Sequence, residues 1–238
     1  LDLIASHLTG PDGARLMDRP LRYSGGTEKM FRRAESSTFF GREIGLMYVH
    51  EHIRYAESLA LTGRGPEFLK ALRQAIPVGY ADIVNCADIR QANCYYSSSD
   101  AIFANRYCAD DLYHEIIEGN VTLRGGWRVY SSGPGIFTGI VLTHLLGIRL
   151  EWGRVIIDPV MPGSIDGLKA TMKIMTRDVT FIYHVNDGCY GPERVSVNGK
   201  EIPLMPAGNP YRPGGVAVGA DVFMELLSES KNMVEIYL

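Results

Sequence analysis

The stretch Gly135-Ile-Phe-Thr-Gly-Ile-Val-Leu-Thr-His-Leu-Leu-Gly-Ile-Arg-Leu-Glu-Trp152 is where the chain changes character. From Gly135 to Leu146 it is strongly apolar and long enough for a helix. Gly147 closes it, because glycine accepts the left-handed conformation past a helix end without steric cost. From Ile148 the period becomes two. Ile148, Leu150 and Trp152 alternate with Arg149 and Glu151, as in a half-buried strand. Trp152 therefore reads as core or interdomain packing. The boundary divides the chain into residues 1–148, largely helical, and residues 149–238, a β region.

Working downstream, Val155-Ile-Ile, Leu168–Met175, Val179–Val185, Arg194–Val197, Val216–Val218, Val222–Leu226 and Val234–Leu238 read as short strands. Asn198-Gly199 is a type I′ hairpin signal, since both turn positions need positive φ. Short strands separated by Gly and Pro turns predict an antiparallel β-sandwich of jelly-roll type. Working upstream, Phe40, Ile44, Met47, Tyr48, Tyr55 and Leu59 recur at helical spacing and predict a helix over 41–62, ending at Gly63. Residues 66–76 predict a second helix, opened by Pro66. Residues 99–107 and 109–118 carry weaker helical patterns. The stretches 10–38 and 77–98 show little periodicity, and long irregular segments in compact domains are often functional. The fold class is α+β multidomain.

The bulk properties narrow the function classes. The 238 residues are 46% hydrophobic and 21% charged, with net charge −3. No basic block points to nucleic acid or an anionic membrane. No apolar run approaches the roughly 20 residues needed to span a bilayer. Cys86, Cys94, Cys108 and Cys189 form no CxxC pair and no His/Cys cluster, which argues against zinc and redox chemistry. Free thiols in a reducing, cytoplasmic setting fit this usage, and spacing alone leaves a Cys86–Cys94 bridge open. Walker, Rossmann and GxSxG patterns do not occur. The chain opens on Leu-Asp-Leu, so Leu1 is read as a point inside a longer polypeptide.

Three segments carry candidate chemistry. In Trp127-Arg-Val-Tyr-Ser-Ser-Gly-Pro-Gly135, Ser131 and Ser132 stand at a helix start, where orphan amides and the positive helix end favour an anion. A plain serine N-cap with turn-shaping glycines fits the same residues. In Phe39-Phe-Gly-Arg-Glu-Ile-Gly-Leu-Met-Tyr-Val-His-Glu-His52, Glu43 and His50 are seven residues apart and share a helix face. There an imidazole can donate to phosphate while Arg42 and Glu43 grip hydroxyls, although an ordinary helix histidine and a surface ion pair explain them too. His52 lies about 200° around the helix from His50 and cannot serve the same pocket. In Asn93-Cys-Tyr-Tyr-Ser-Ser-Ser-Asp-Ala-Ile-Phe-Ala-Asn105, rings beside hydroxyls and amides suit a sugar, whose apolar face an aromatic covers. A buried aromatic loop with a Ser-Asp helix cap is the plainer alternative. Asp18-Arg19-Pro20 reads as a turn with an ion pair, and His184 with Asp187 as a strand-end turn.

These segments carry a resemblance. Arg90–Asp100, Gly125–Gly135, Leu8–Pro20 and Arg33–Tyr48 resemble the phosphorylases of glycoside hydrolase family 94, in particular members acting on β-1,2-linked oligoglucans. The likeness runs across nearly the whole chain and weakens in the terminal β region. It implies the C-terminal part of an (α/α)6 barrel over 1–148 and the β-sandwich over 149–238. It also implies reversible phosphorolysis with inversion, using inorganic phosphate as substrate and no cofactor or metal.

By the same resemblance the family's phosphate-binding histidine falls on His50. Its Thr-Gly pair falls on Ser131 and Ser132, and a phosphate-binding glutamine falls on Asn105. Ser132 replaces a glycine, which puts close backbone approach there in doubt. Arg42, Glu43, Tyr96 and Tyr130 are the candidate sugar contacts. The family's catalytic aspartate lies in an Asp-Trp-Asn-Asp pattern that does not occur here, so the acid is expected upstream of Leu1, in the same polypeptide. The expected partners are a β-glucan oligosaccharide, phosphate and that upstream part. A non-catalytic carbohydrate-binding module, and the terminal domain of a cyclic β-glucan synthase, are the alternatives.

Overall fold

A computed structural model describes residues 1–19, 46–76, 79–88, 98–104, 106–125, 132–186 and 188–238. Its contacts divide the chain into two units. The first comprises Leu1–Ala56 and Lys70–Phe137, and the second Glu57–Leu69 and Thr138–Leu238.

In chain order the described elements begin with α1 (Asp2–His7), β1 (Thr9–Gly10), β2 (Gly13–Ala14) and β3 (Leu46–Tyr48). Next come α2 (Val49–Leu61), α3 (Gly65–Gln74), α4 (Tyr80–Ile83), β4 (Ser98–Ala101), α5 (Arg106–Leu112), α6 (Glu115–Glu118) and β5 (Leu123–Gly125). Helix α7 (Ser132–Ile140) continues as a π-helical turn, Val141–Leu145, and Gly147 follows at φ +69. The strands β6 (Ile148–Glu151), β7 (Arg154–Ile157), β8 (Lys169–Ile174), β9 (Arg177–His184), β10 (Arg194–Val197), β11 (Lys200–Glu201), β12 (Met205–Pro206) and β13 (Val216–Gly219) follow. Helix α8 (Ala220–Glu225) and β14 (Asn232–Tyr237) come last among the described elements. The fold is mixed α and β, as the change of period at Gly147 predicts.

The second unit holds two sheets, one ordered β11-β10-β14-β9-β8 and the other β12-β13-β7-β6. One buried cluster joins their inner faces. Val179, Phe181, Val195, Val234 and Ile236 come from the first sheet, and Ile148, Val155, Ile157, Val216 and Val218 from the second. Alternation places these residues inward, while Ile156, Ser196 and Ala217, their neighbours along β7, β10 and β13, are buried too. Most pairs are antiparallel, but β14 runs parallel to β9 over Asn232–Tyr237. Asn198 and Gly199 both take positive φ, as the type I′ turn requires. Buried Asn232 accepts from the Ser228 N–H (2.7 Å) and the Asn198 amide (3.0 Å), so this polar group is satisfied inside the fold.

Loops of the same unit cap the end of α2. Arg212 Nε donates to the Ala60 carbonyl (3.3 Å), Asn209 Nδ2 to that of Leu61 (3.3 Å), and the Cys189 thiol to that of Gly63 (3.1 Å). The Ala60 carbonyl also accepts from the Gly63 N–H and that of Gly63 from the Gly65 N–H, each at 3.0 Å, so these donors supplement backbone bonds at and just past the helix end. Arg212 Nη1 also donates to Asp158 Oδ1 at 2.8 Å, and both residues are buried.

Four expectations are corrected. The helix expected over 41–62 begins at Val49, and Leu46–Tyr48 is a strand; residues 41–45 lie outside the described part. The helix expected over 99–107 is replaced at Ser98–Ala101 by a strand paired on both sides, so tertiary pairing overrides a weak helical pattern. Val222–Leu226 lies in α8, where Phe223 is buried and Val222 exposed; a short apolar run does not fix the period. Trp152 is not packed within this chain: its side chain is 93% exposed, at the tip of the β6–β7 hairpin. Cys86, free in the structure, forms no bridge, and Cys94 lies outside the described part.

Candidate functional site

The candidate site is built on the sheet β3-β4-β5 of the first unit. Tyr48 stands opposite Ser98, Met47 opposite Ser99 and Leu46 opposite Asp100. On the other side of β4, Ser99 stands opposite Gly125, Asp100 opposite Arg124 and Ala101 opposite Leu123. Both pairings are antiparallel, so one edge of the sheet collects the end of β3, the start of β4 and the end of β5. Buried Met47, Ala101 and Leu123 anchor the strands. Ala101 and Leu123 pack in a small core with Val84, Tyr113, Ile116 and Val121.

Two of the segments singled out in the sequence supply β3 and β4, and β5 ends at Gly125, two residues before the third begins. His50 is the second residue of α2, which starts immediately after Tyr48, and it is half-buried. Ser98 continues the segment that carries Tyr96. Gly125 leads into the segment that carries Tyr130 and Ser131, and Ser132 is the first residue of α7. Arg42, Glu43, Tyr96, Asn105, Tyr130 and Ser131 lie outside the described residues. Among the described residues, no group of three or more His, Cys, Asp or Glu could hold a metal ion. No helix among them is long and apolar enough to cross a membrane.

His52 has a different part, one the sequence did not reveal. It is fully buried. Its Nδ1 accepts from the Ala14 N–H at 3.0 Å, and its Nε2 lies 2.7 Å from the Ala71 carbonyl. A carbonyl only accepts, so Nε2 carries the proton and the ring is neutral. Burial pushes its pKa below the ordinary histidine value, outweighing the opposing effects of the Ala71 bond and the Asp12 carboxylate. His52 thus ties α2 to the β1–β2 hairpin. Gln74 holds the same hairpin by donating to the Pro11 carbonyl at 2.7 Å. Inside the turn, Arg15 Nη2 donates to both carboxylate oxygens of buried Asp12, at 2.9 and 2.8 Å. Burial also raises the Cys86 thiol pKa, which leaves it a poor nucleophile. The Gly-Pro-Asp-Gly turn was the available signal: Gly13 takes φ +126, and a Cβ there would stand 2.6 Å from His52 Nδ1.

Residues 147–237 match the glycoside phosphorylase C-terminal domain family, a span that begins at the glycine closing α7 and ends with β14. This part of the chain is similar to the C-terminal domain of glycoside phosphorylases. The chain is also similar to the 1,2-β-oligoglucan phosphorylase of Listeria innocua serovar 6a, at 39% identity over 215 residues. The match covers 90% of this chain and 19% of the relative, so the chain spans about a fifth of the relative's length.

Proposed function

We propose that this chain is the C-terminal portion of an inverting β-glucan phosphorylase of glycoside hydrolase family 94, acting on β-1,2-linked oligoglucans. The observation that supports the proposal most directly is the register of β3-β4-β5, which sets the end of β3, the start of β4 and the end of β5 side by side at one end of a sheet. The similarity to an enzyme named for that activity supports it. In the whole protein the first unit contributes to an (α/α)6 barrel and the second forms a jelly-roll-like sandwich. Its setting is the cytoplasm, and it needs no cofactor.

In the proposed reaction, His50, Ser131, Ser132 and Asn105 hold inorganic phosphate by donating to its oxygens. Arg42, Glu43, Tyr96 and Tyr130 hold the sugar. A phosphate oxygen attacks the anomeric carbon from the face opposite the β-linked leaving group. The bond to the glycosidic oxygen breaks, and a carboxylic acid from outside these 238 residues protonates that oxygen. Configuration inverts and α-glucose 1-phosphate leaves. Phosphate takes the place that activated water holds in an inverting hydrolase, so the site needs anion donors more than a second carboxylate.

The test is incubation of the full-length protein with a β-1,2-linked oligoglucan, with and without phosphate. Glucose 1-phosphate formed only with phosphate is the expected result; free glucose formed equally in both overturns the proposal.

A further inference from the structure

The β6–β7 hairpin turns on Trp152-Gly153, with φ +49 and +72. Two positive φ values define the type I′ geometry, which favours Asn-Gly. The chain uses Asn-Gly for its other such turn, at 198–199, where φ is +50 and +79. At 152 it instead places a bulky aromatic in the left-handed region, a strained choice for a large side chain. The indole gains no burial in return, being 93% exposed. The turn itself is well fixed: Glu151 pairs with Arg154 across the hairpin, and the Gly153 carbonyl accepts from the Ala220 N–H at 2.9 Å. On the strands that meet at this turn, Arg149 Nε donates to Glu151 Oε1 at 2.8 Å, and Arg154 is exposed. A strained, rigidly presented and solvent-facing indole flanked by charged hydrogen-bonding groups has the chemistry of a sugar platform. The ring covers the apolar face of a pyranose, and the guanidinium and carboxylate groups meet its hydroxyls.

We infer that Trp152 is a stacking site for β-linked glucan chains on the β-sandwich unit, additional to the phosphate-dependent site. It rests on the glucan reading proposed above. It captures long chains and takes no part in bond cleavage.

The test uses the full-length protein with Trp152→Asn, the residue the turn prefers, in affinity electrophoresis through gels containing β-1,2-glucan polymer. The parent should be retarded and the variant should run almost free. The KM for long oligoglucan should rise on the order of tenfold, while kcat for the shortest cleaved oligoglucan and the melting temperature stay unchanged or, for the latter, rise. Equal retardation of parent and variant overturns the inference and leaves the phosphorylase reading intact. A shift in oligomeric mass on removal of the indole also overturns it, because the ring then docks on a second copy. Absence of all phosphorolysis of β-glucans by the parent is the separate result that defeats the underlying reading.

Discussion

Tyr48 lies directly opposite Ser98 across the antiparallel β3–β4 pair. Two residues further along the chain from Tyr48 stands His50, at the start of α2. Next to Ser98, Ser99 pairs on its other side with Gly125, the last residue of β5. The end of β3, the start of β4 and the end of β5, which are distant in sequence, thus lie at one end of the sheet.

Replacing Gly13 by alanine should destabilise the first unit. The residue holds φ +126, and the added methyl would stand 2.6 Å from His52 Nδ1. Strained backbone of this kind costs about 1–3 kcal/mol, and a lost His52 bond adds to it. Urea unfolding of Gly13→Ala against the parent measures the loss.

Stability should fall as the solution is acidified below about pH 6.5. Burial lowers the pKa of both His52 and His144 in the folded protein. Below the ordinary histidine value the unfolded chain then binds more protons than the folded one. The contribution is therefore complete above that value and is lost as pH falls toward the lowered folded pKa. His52→Gln should flatten the slope of unfolding free energy against pH between 7 and 5; an unchanged slope would show that His52 is not held neutral.

Arg212→Met should cost about 3 kcal/mol, because it removes the nearer counter-charge of buried Asp158, leaving Arg149 at 3.6 Å, and one of the two donors to the Ala60 carbonyl. Adding Asp158→Leu should recover part of the loss, since the under-compensated charge is the costly part and Arg149 keeps Glu151 at 2.8 Å. Chemical denaturation of both variants checks the sign of that recovery.

Much of the β architecture was legible in the sequence. Val155–Ile157, Val179–Val185, Arg194–Val197 and the Asn198-Gly199 turn are local patterns, so composition specifies them. Leu46–Tyr48 and Ser98–Ala101 were not, because they become strands only by pairing with one another and with β5, a tertiary effect invisible in a window of sequence. Phe223 and its neighbours were misread for a related reason: five apolar-rich residues suit a strand or a helix equally. Trp152 misled because its alternation continues a strand that in fact ends at Glu151, and the turn places the ring in water. At the candidate site, the separate faces of His50 and His52 followed from helical geometry. The burial of His52 against Ala14 depends on a hairpin 38 residues away.

The most direct measurement is a double-mutant cycle on the KM for phosphate, using His50→Ala, Ser131→Ala and the double variant in the full-length protein. If both side chains hold the same anion, each single change should raise that constant on the order of tenfold, and the double change should depart from the product of the two. Unaltered phosphate KM values in both single variants would contradict a shared phosphate site.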